Sequence, residues 1–430
     1  MKKFVSLMVA AMFALPSFAS VASAGSVLDG LKLSGEITVN KVSVDNEVTA
    51  SDVGDDYRSE TQVRTILNMD MPLADDMDAR VVLTKNDQKF GDSNGNDQAL
   101  LSGWPNTGAA DNVNVTNAYI KVKKLFDLID LKVGRMFYGE RDDLALYIGP
   151  TYDYDLDVAA IDGYLANAEI KGVNVEYLDA KLMEVGVANK DKDTNLQGLC
   201  LSPVSKIADM VSGKFYVYKI VDNDVTAAYH DTNTTLLYGL KASAEVSGVN
   251  VKAEYAMNGG TDETIPATDV DYKGKAAILG ASAKVSGINV RAEYANGSGD
   301  KTSTADKNEA FTAEGSDVRY GEIWGNTTET TILGGAGVAN LNVMNIGADY
   351  DVNDKVKASA DFLMLKTNEK VATAPTPAGT KKIGNEIDLK VSYDHSENLS
   401  MDLVVARLMC DSAFGTDDID KVNLQMNFRF

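Results

Sequence analysis

Over long stretches of this chain apolar and polar residues alternate one by one. The last ten residues show it most fully. Val422, Leu424, Met426, Phe428 and Phe430 take every second position, and Lys421, Asn423, Gln425, Asn427 and Arg429 fill the gaps. A period of two belongs to a β-strand with one apolar and one wet face. About ten residues is also what a tilted strand needs to cross a bilayer. The same alternation marks an internal duplication, in which Leu240–Tyr255 (LKASAEVSGVNVKAEY) recurs as Leu279–Tyr294 (LGASAKVSGINVRAEY). Each copy predicts two strands joined at a Ser-Gly turn, Ser247-Gly248 and Ser286-Gly287. Repeats of this spacing also occur in propellers, but two copies are too few and the Gly-His and Trp-Asp marks are absent.

Turn chemistry divides the rest into hairpins, with short connections at one end and long polar ones at the other. The predicted strands are 31–44, 58–71, 77–86, 113–123, 128–138, 158–170, 175–188, 214–221, 225–230, 235–246, 249–257, 273–285, 288–296, 341–351, 355–366, 383–394, 399–409 and 420–430. The fold class is therefore all-β, a transmembrane antiparallel up-and-down β-barrel of about eighteen strands. It has sixteen if one pair within 189–235 is loop. Residues 297–340 exceed an ordinary connection. They read either as a loop folded into the pore to constrict it or as an extra strand pair.

The amino terminus adds an address. Lys2 and Lys3, an apolar run from Phe4 to Leu15, and Ala22-Ser-Ala24 form the three parts of an export signal peptide. The run is too short to span a membrane as a helix. The mature chain, 25–430, is expected to be one barrel domain in the outer membrane. Short turns then face the periplasm and long loops the exterior.

Composition narrows the function. The net charge of −22 excludes nucleic acid as a partner. The excess acid lies in the long loops, at Asp52, Asp55, Asp56, Asp92, Asp97, Asp142, Asp143, Asp153 and Asp155. Asp92–Asp97 and Asp153–Asp157 have carboxylates at calcium-like spacing but lack the Gly and Glu of an EF-hand, so no metal or other cofactor is assigned. Of the two histidines, His395 lies in a turn and His230 in a short polar loop. Neither sits in a hydrolase motif, so an enzyme is not expected. Cys200 and Cys410 fall on the same side of the up-down scheme, in extracellular loops. One disulfide and two free thiols both remain open.

In a barrel the chemistry lies on the inward face. Parity turns Arg64, Arg80, Lys132, Lys241, Lys252, Lys284, Arg291, Lys390 and Arg429 towards the lumen. It also turns Glu36, Asp70, Glu245, Glu254, Glu293, Glu386 and Asp388 inward. These are candidate pore-lining groups, or are simply solvated or paired across neighbouring strands. Arg135 breaks the pattern, because it shares a face with Leu131 and Val133. A bulge at Gly134 would bring it into the pore, and it is counted there. Otherwise it sits above the bilayer.

Two stretches resemble the alginate-export and substrate-specific porin group of outer-membrane barrels. One is Leu131–Gly139 (LKVGRMFYG) followed by Ala160–Tyr164 (AIDGY), and the other is Gly384–Tyr393 (GNEIDLKVSY). The resemblance implies a barrel of about eighteen strands with a side-chain-lined pore, and leaves the solute open. Selective members of the group tend to carry a ladder of inward arginines. This chain has nine arginines in all, which argues against a dedicated anion or polysaccharide conduit. The carboxyl terminus resembles the assembly signal of such barrels, with Phe428 and Phe430 as the aromatics read by the assembly machinery. Expected partners are outer-membrane lipid and lipopolysaccharide, that machinery, and small hydrophilic solutes, with homo-oligomerisation left open. The expected function is a porin for passive diffusion. The alternatives are a substrate-specific or polysaccharide-export channel, or a non-conducting structural or adhesin barrel.

Overall fold

The computed structural model describes residues 30–46, 57–89, 113–152, 156–184, 186–187, 190–191, 193–207, 210–223, 232–263, 269–301, 306–313, 315–326, 337–370, 380–415 and 417–430. The predicted leader, 1–24, lies outside the described residues. So do Asp52, Asp55, Asp56, Asp92, Asp97, Asp153, Asp155 and His230.

Eighteen strands form the wall. They are β1 (Lys32–Asp45), β2 (Arg58–Ala74), β3 (Met77–Lys89), β4 (Asn114–Leu125), β5 (Ile129–Met136), β6 (Ile161–Ile170), β7 (Val173–Met183), β8 (Thr194–Pro203) and β9 (Val211–Asp222). Then follow β10 (Asn233–Val246), β11 (Val249–Asp262), β12 (Lys275–Val285), β13 (Ile288–Gly297), β14 (Leu341–Asn353), β15 (Val356–Thr367), β16 (Lys382–Ser396), β17 (Leu399–Cys410) and β18 (Ile419–Arg429). Each pairs antiparallel with its neighbours in sequence, and β18 returns to β1, with Phe428 opposite Ile37 and Lys421 opposite Val44. The Gly35 and Phe430 amides each donate to the other's carbonyl, at 2.9 and 3.1 Å. Closure leaves no unpaired edge, which is the condition for a sheet to stand in lipid. Two short strands, Val270–Tyr272 and Lys307–Asn308, extend the sheet at the long-loop end.

The alternation read from the carboxyl terminus holds in space. Val422, Leu424, Phe428 and Phe430 are exposed on the outer surface, while Lys421, Asn423, Gln425 and Asn427 are buried inside. The same division runs round the wall, with Leu240, Leu279, Met344, Phe362, Leu389 and Leu403 outward.

One region departs from the sequence expectation. The sequence pattern predicts one connection over 189–213 and a hairpin of 214–221 with 225–230. Instead Thr194–Pro203 is a full wall strand, paired with β7 and β9, and the tight connection to Val211–Asp222 is at 204–210. Gln197, Leu199 and Leu201 do alternate with Leu196, Gly198 and Cys200. The Gly and Cys on the inner face hid the pattern, because a tyrosine of the next strand, Tyr218, fills the space that larger inward side chains would take. Residues 225–230 lie outside the described set.

That shift moves Cys200 out of the loops and into β8, where its buried thiol sits 3.2 Å from the Tyr218 hydroxyl. Cys410 ends β17 and its thiol donates to the Leu408 carbonyl. Both are free, on strands far apart in the wall order, so the disulfide is not formed.

Candidate solute pathway

Two long connections fold back onto the inner face of the wall. The first, 137–160, joins β5 to β6 and carries a small hairpin, Tyr138–Gly139 with Tyr147–Ile148. Its apolar residues Leu144, Leu146 and Ile148 are buried in one cluster with Leu178, Leu196 and Ala256 of the wall, and Leu156 is buried as well. An apolar loop on a polar inner face leaves backbone groups that need partners. The wall supplies them. Glu254 of β11 accepts the Leu144 amide (3.0 Å) and the Tyr216 hydroxyl (2.7 Å). Lys214 and Lys241 reach Asp143 at 2.5 and 2.8 Å, and Lys241 also meets Asp142 at 2.8 Å and Glu140 at 3.4 Å. Arg64, fully buried, donates to the carbonyls of Thr151 and Leu156 and lies 4.5 Å from the centre of the Tyr152 ring. Burial pushes the Asp142 carboxyl up, but hydrogen bonding and charge from Lys241 outweigh it and hold the group below the usual carboxylate range.

The second, 298–340, joins β13 to β14. Its segment 315–326 lies against β16 and β18. Glu386, wholly buried, accepts the amides of Ile323 (2.6 Å) and Trp324 (3.1 Å), and Asp388 accepts that of Glu322 (3.2 Å). Lys421 donates to the Glu322 carbonyl at 2.5 Å. Gly321 is required at the approach. Its φ is +86°, and a Cβ there would stand 2.5 Å from a Glu386 oxygen. Tyr320 donates to Glu293 of β13 at 2.6 Å; burial, then that carboxylate, pushes its phenol up.

The two connections meet in the lumen. Tyr147 donates its amide to the Gly315 carbonyl, Ser316 donates to the Asp143 carbonyl, and Asp317 binds Arg141 and Arg319, each at 2.7 Å. Beside this junction is a cavity of about 460 Å³ lined by Lys252, Arg291, Glu293, Arg319, Tyr320 and Asn345. A second, of about 330 Å³, is lined by Glu140, Lys206, Lys214 and Lys241 and shares Lys206, Ser212 and Ser243 with the first.

Most nominated charges lie inside and are matched. Arg80 and Asp70 form a bidentate pair (2.6 and 2.9 Å), and Lys252 meets Glu293 at 2.6 Å. Arg291 binds Asp349 and Asp361, Lys390 meets Asp402, and Arg429 meets Glu36. Lys132 stands over the Tyr119 ring. Glu245 lines the larger cavity, and Lys284 follows Ser282 on the same inner face near the Ser286-Gly287 turn. Charges paired in this way lose much of their pull on a solute.

Arg135 is a correction. The β5–β6 register runs unbroken from Ile129 to Met136, so no bulge reverses it. Lys132 and the fully buried Met136 face inward, and Arg135 faces outward, where it forms a bidentate pair with Asp162 at 2.9 and 2.7 Å. It lies one residue from the end of β5. There the cost of an outward charge falls from roughly 2–4 kcal/mol at mid-depth to about 0–1. Sequence reasoning passed over Arg141, Tyr152, Asp317 and Arg319, which sit in irregular chain with no periodicity to reveal them. Asp349 and Asp361 were visible by parity.

No protein-family profile and no curated relative matches the sequence. Solved structures do match the fold. The chain is 16% identical to Pseudomonas aeruginosa OccK5 (OpdH), with a TM-score of 0.58 over 94% of this chain and 98% of that one. It is 11% identical to OprD of the same organism, with a TM-score of 0.59 over 94% and 96%. It is 10% identical to OccK2 (OpdF), solved in complex with glucuronate, with a TM-score of 0.58 over 93% and 96%. The architecture of those structures is shared by this chain, a closed antiparallel barrel of eighteen strands, as the resemblance in sequence implied.

Proposed function

We propose that the protein is an outer-membrane channel for passive diffusion of small hydrophilic solutes, constricted by its two in-folded connections. The carrying observation is the junction itself. Two loops are pinned to the lumenal wall by buried carboxylates, and beside their apolar packing lie two cavities that charged side chains line. A structural barrel would gain nothing from burying Glu386 and Glu254 to hold loops open, because buried carboxylates are costly unless fully hydrogen-bonded. The outward Phe428 and Phe430, with ring centres 6.0 Å apart beside the closing seam, fit the reading of the carboxyl terminus as the signal for the assembly machinery.

Most inward cations are matched by carboxylates, so the wall contributes little selectivity, and the acidic loops give the channel a mild cation preference at low salt. A negative vestibule acts over about 10 Å at 0.1 M salt and about 3 Å at 1 M. The refolded protein in a planar bilayer should conduct, and its reversal potential under a salt gradient should favour cations, less so as salt rises. Absence of conductance would overturn the channel reading. Strong anion selectivity, with competition by a small carboxylate such as the glucuronate bound by OccK2, would favour a substrate-specific channel reading through Arg141 and Arg319.

A further inference from the structure

The outer surface of the wall is charged at one end only. Outside the turns, the described outward positions in the short-turn half of the strands carry no lysine, arginine, aspartate or glutamate. Leu33, Val173, Val249, Ile288, Tyr393 and Phe428 are typical of them. At the long-loop end the outward positions carry an excess of cations over the aspartates Asp45, Asp162, Asp179 and Asp420. Arg135 stands next to last on β5, Lys181 third from last on β7, Lys219 fourth from last on β9, Lys275 first on β12, Lys366 next to last on β15, and Arg407 fourth from last on β17. Their outward direction follows from inward neighbours that are buried. Tyr218 and Ile220 flank Lys219, Ala276 follows Lys275, Leu365 and Thr367 flank Lys366, and Ala406 and Leu408 flank Arg407.

These cations stand near the level where strand meets loop, in a chain whose net charge is −22. Arg135 and Arg407 are held upright by bidentate bonds to Asp162 and Asp420. Lys219, Lys275 and Lys366 form no ion pair among the described residues, so no described carboxylate neutralises their ammonium groups. Long side chains at the edge of an apolar belt reach the polar layer with their charged tips. The six lie on strands spread round the circumference. A protein partner would cover one side of the barrel, and only a leaflet meets the whole ring.

We propose that this belt binds the phosphate groups of the lipid A portion of lipopolysaccharide. The proposal rests on the outer-membrane reading above, which makes the long-loop end the outer leaflet. Phosphate oxygens accept from lysine and arginine tips in charge-assisted hydrogen bonds, and each surface cation near an anionic lipid layer strengthens binding about fivefold. Lipopolysaccharide is the occupant that explains why the opposite end of the same wall lacks the ring.

The test uses the full refolded barrel in zwitterionic nanodiscs, titrated with deep-rough lipopolysaccharide and with the same material after enzymatic dephosphorylation. Retained lipid is counted by native mass spectrometry. The triple variant Lys219→Gln, Lys275→Gln, Lys366→Gln spares the two arginines, whose loss would strand Asp162 and Asp420. It should bind phosphorylated material on the order of a hundredfold more weakly. A control triple at turn lysines, Lys124→Gln, Lys171→Gln, Lys355→Gln, should bind as the wild type does. Equal binding by the belt variant, or by dephosphorylated material, would overturn the proposal. Conductance recorded on the same preparations separates the two readings: a conducting wild type with no phosphate dependence sinks the belt and leaves the channel standing.

Discussion

The hairpins β10–β11 and β12–β13 carry nearly the same sequence and nearly the same register, yet they hold different in-folded connections. Glu254 and Glu293 occupy the same place in the duplication, as do Lys252 and Arg291. In the first copy Glu254 is buried and takes the Leu144 amide and the Tyr216 hydroxyl, pinning the 137–160 connection. In the second, Glu293 stays partly exposed and takes the Tyr320 hydroxyl of the 298–340 connection, together with Lys252. One substitution separates their surroundings most. Lys241 of the first copy draws in Asp142 and Asp143, whereas its counterpart Gly280 leaves room for the Lys252–Glu293 pair. Equal strands thus acquire unequal roles from the loop that lies before them and from one inward side chain.

The difference in burial ranks the two glutamates. Glu254→Ala should be the more damaging change, because it leaves a buried amide and a buried tyrosine hydroxyl without their acceptor. We expect a loss of about 3 kcal/mol in urea unfolding, together with larger and noisier conductance as the first connection loosens. Glu293→Ala should cost about 1–2 kcal/mol, since water reaches the site, while still freeing Tyr320. Equal losses at the two positions would show that the loops, not the burial of each carboxylate, set the cost.

Exchanging the distinguishing side chain should move selectivity more than stability. Gly280→Lys places a side chain where a Cβ would already lie 2.9 Å from Lys252 Cε, so the Lys252–Glu293 pair must shift, and an added lumenal ammonium should weaken cation preference. Lys241→Gly should do the opposite, leaving Glu140 and Asp142 without their ammonium and Asp143 with Lys214 alone. Reversal potentials of the two variants should lie on either side of the wild type. A shift of the same sign in both would break the comparison.

The smallest effect is on pH. The Asp142 value is lowered by Lys241, so its contribution is present above the ordinary carboxylate range and is lost as pH falls through the lowered value. Single-channel noise should therefore stay level from neutral pH down through the ordinary carboxylate range and rise only below it. In Lys241→Gly the rise should begin at higher pH. Noise that rises near neutrality in the wild type would assign the loop contact to another group.

Strand existence, direction and facing were legible wherever apolar and polar residues alternate over a full crossing. From Lys421 to Phe430, or in the duplicated hairpins, a single-residue slip would turn every side chain to the wrong medium. The pattern failed where inward positions were small or apolar, as at Gly198 and Cys200 of β8, because Tyr218 from the next strand supplies the bulk there. It also misled at Arg135, where the outward parity was right and the bulge invoked to escape it does not exist. A cross-strand carboxylate, Asp162, had already made the position tolerable.

By itself, then, the sequence determined a closed all-β wall with an apolar outside, a polar inside and long loops at one end, since those features follow from a period of two read against lipid and water. Only the tertiary structure decided which lumenal charges stay available to a solute. Arg64 vanishes beneath Tyr152, Glu386 and Asp388 are consumed by the amides of residues 322–324, and Arg141, Asp317 and Arg319 come together from two loops far apart in the chain. The physical reason is that strand parity is a local property of the backbone. The partner that satisfies a buried charge comes from wherever the chain next passes.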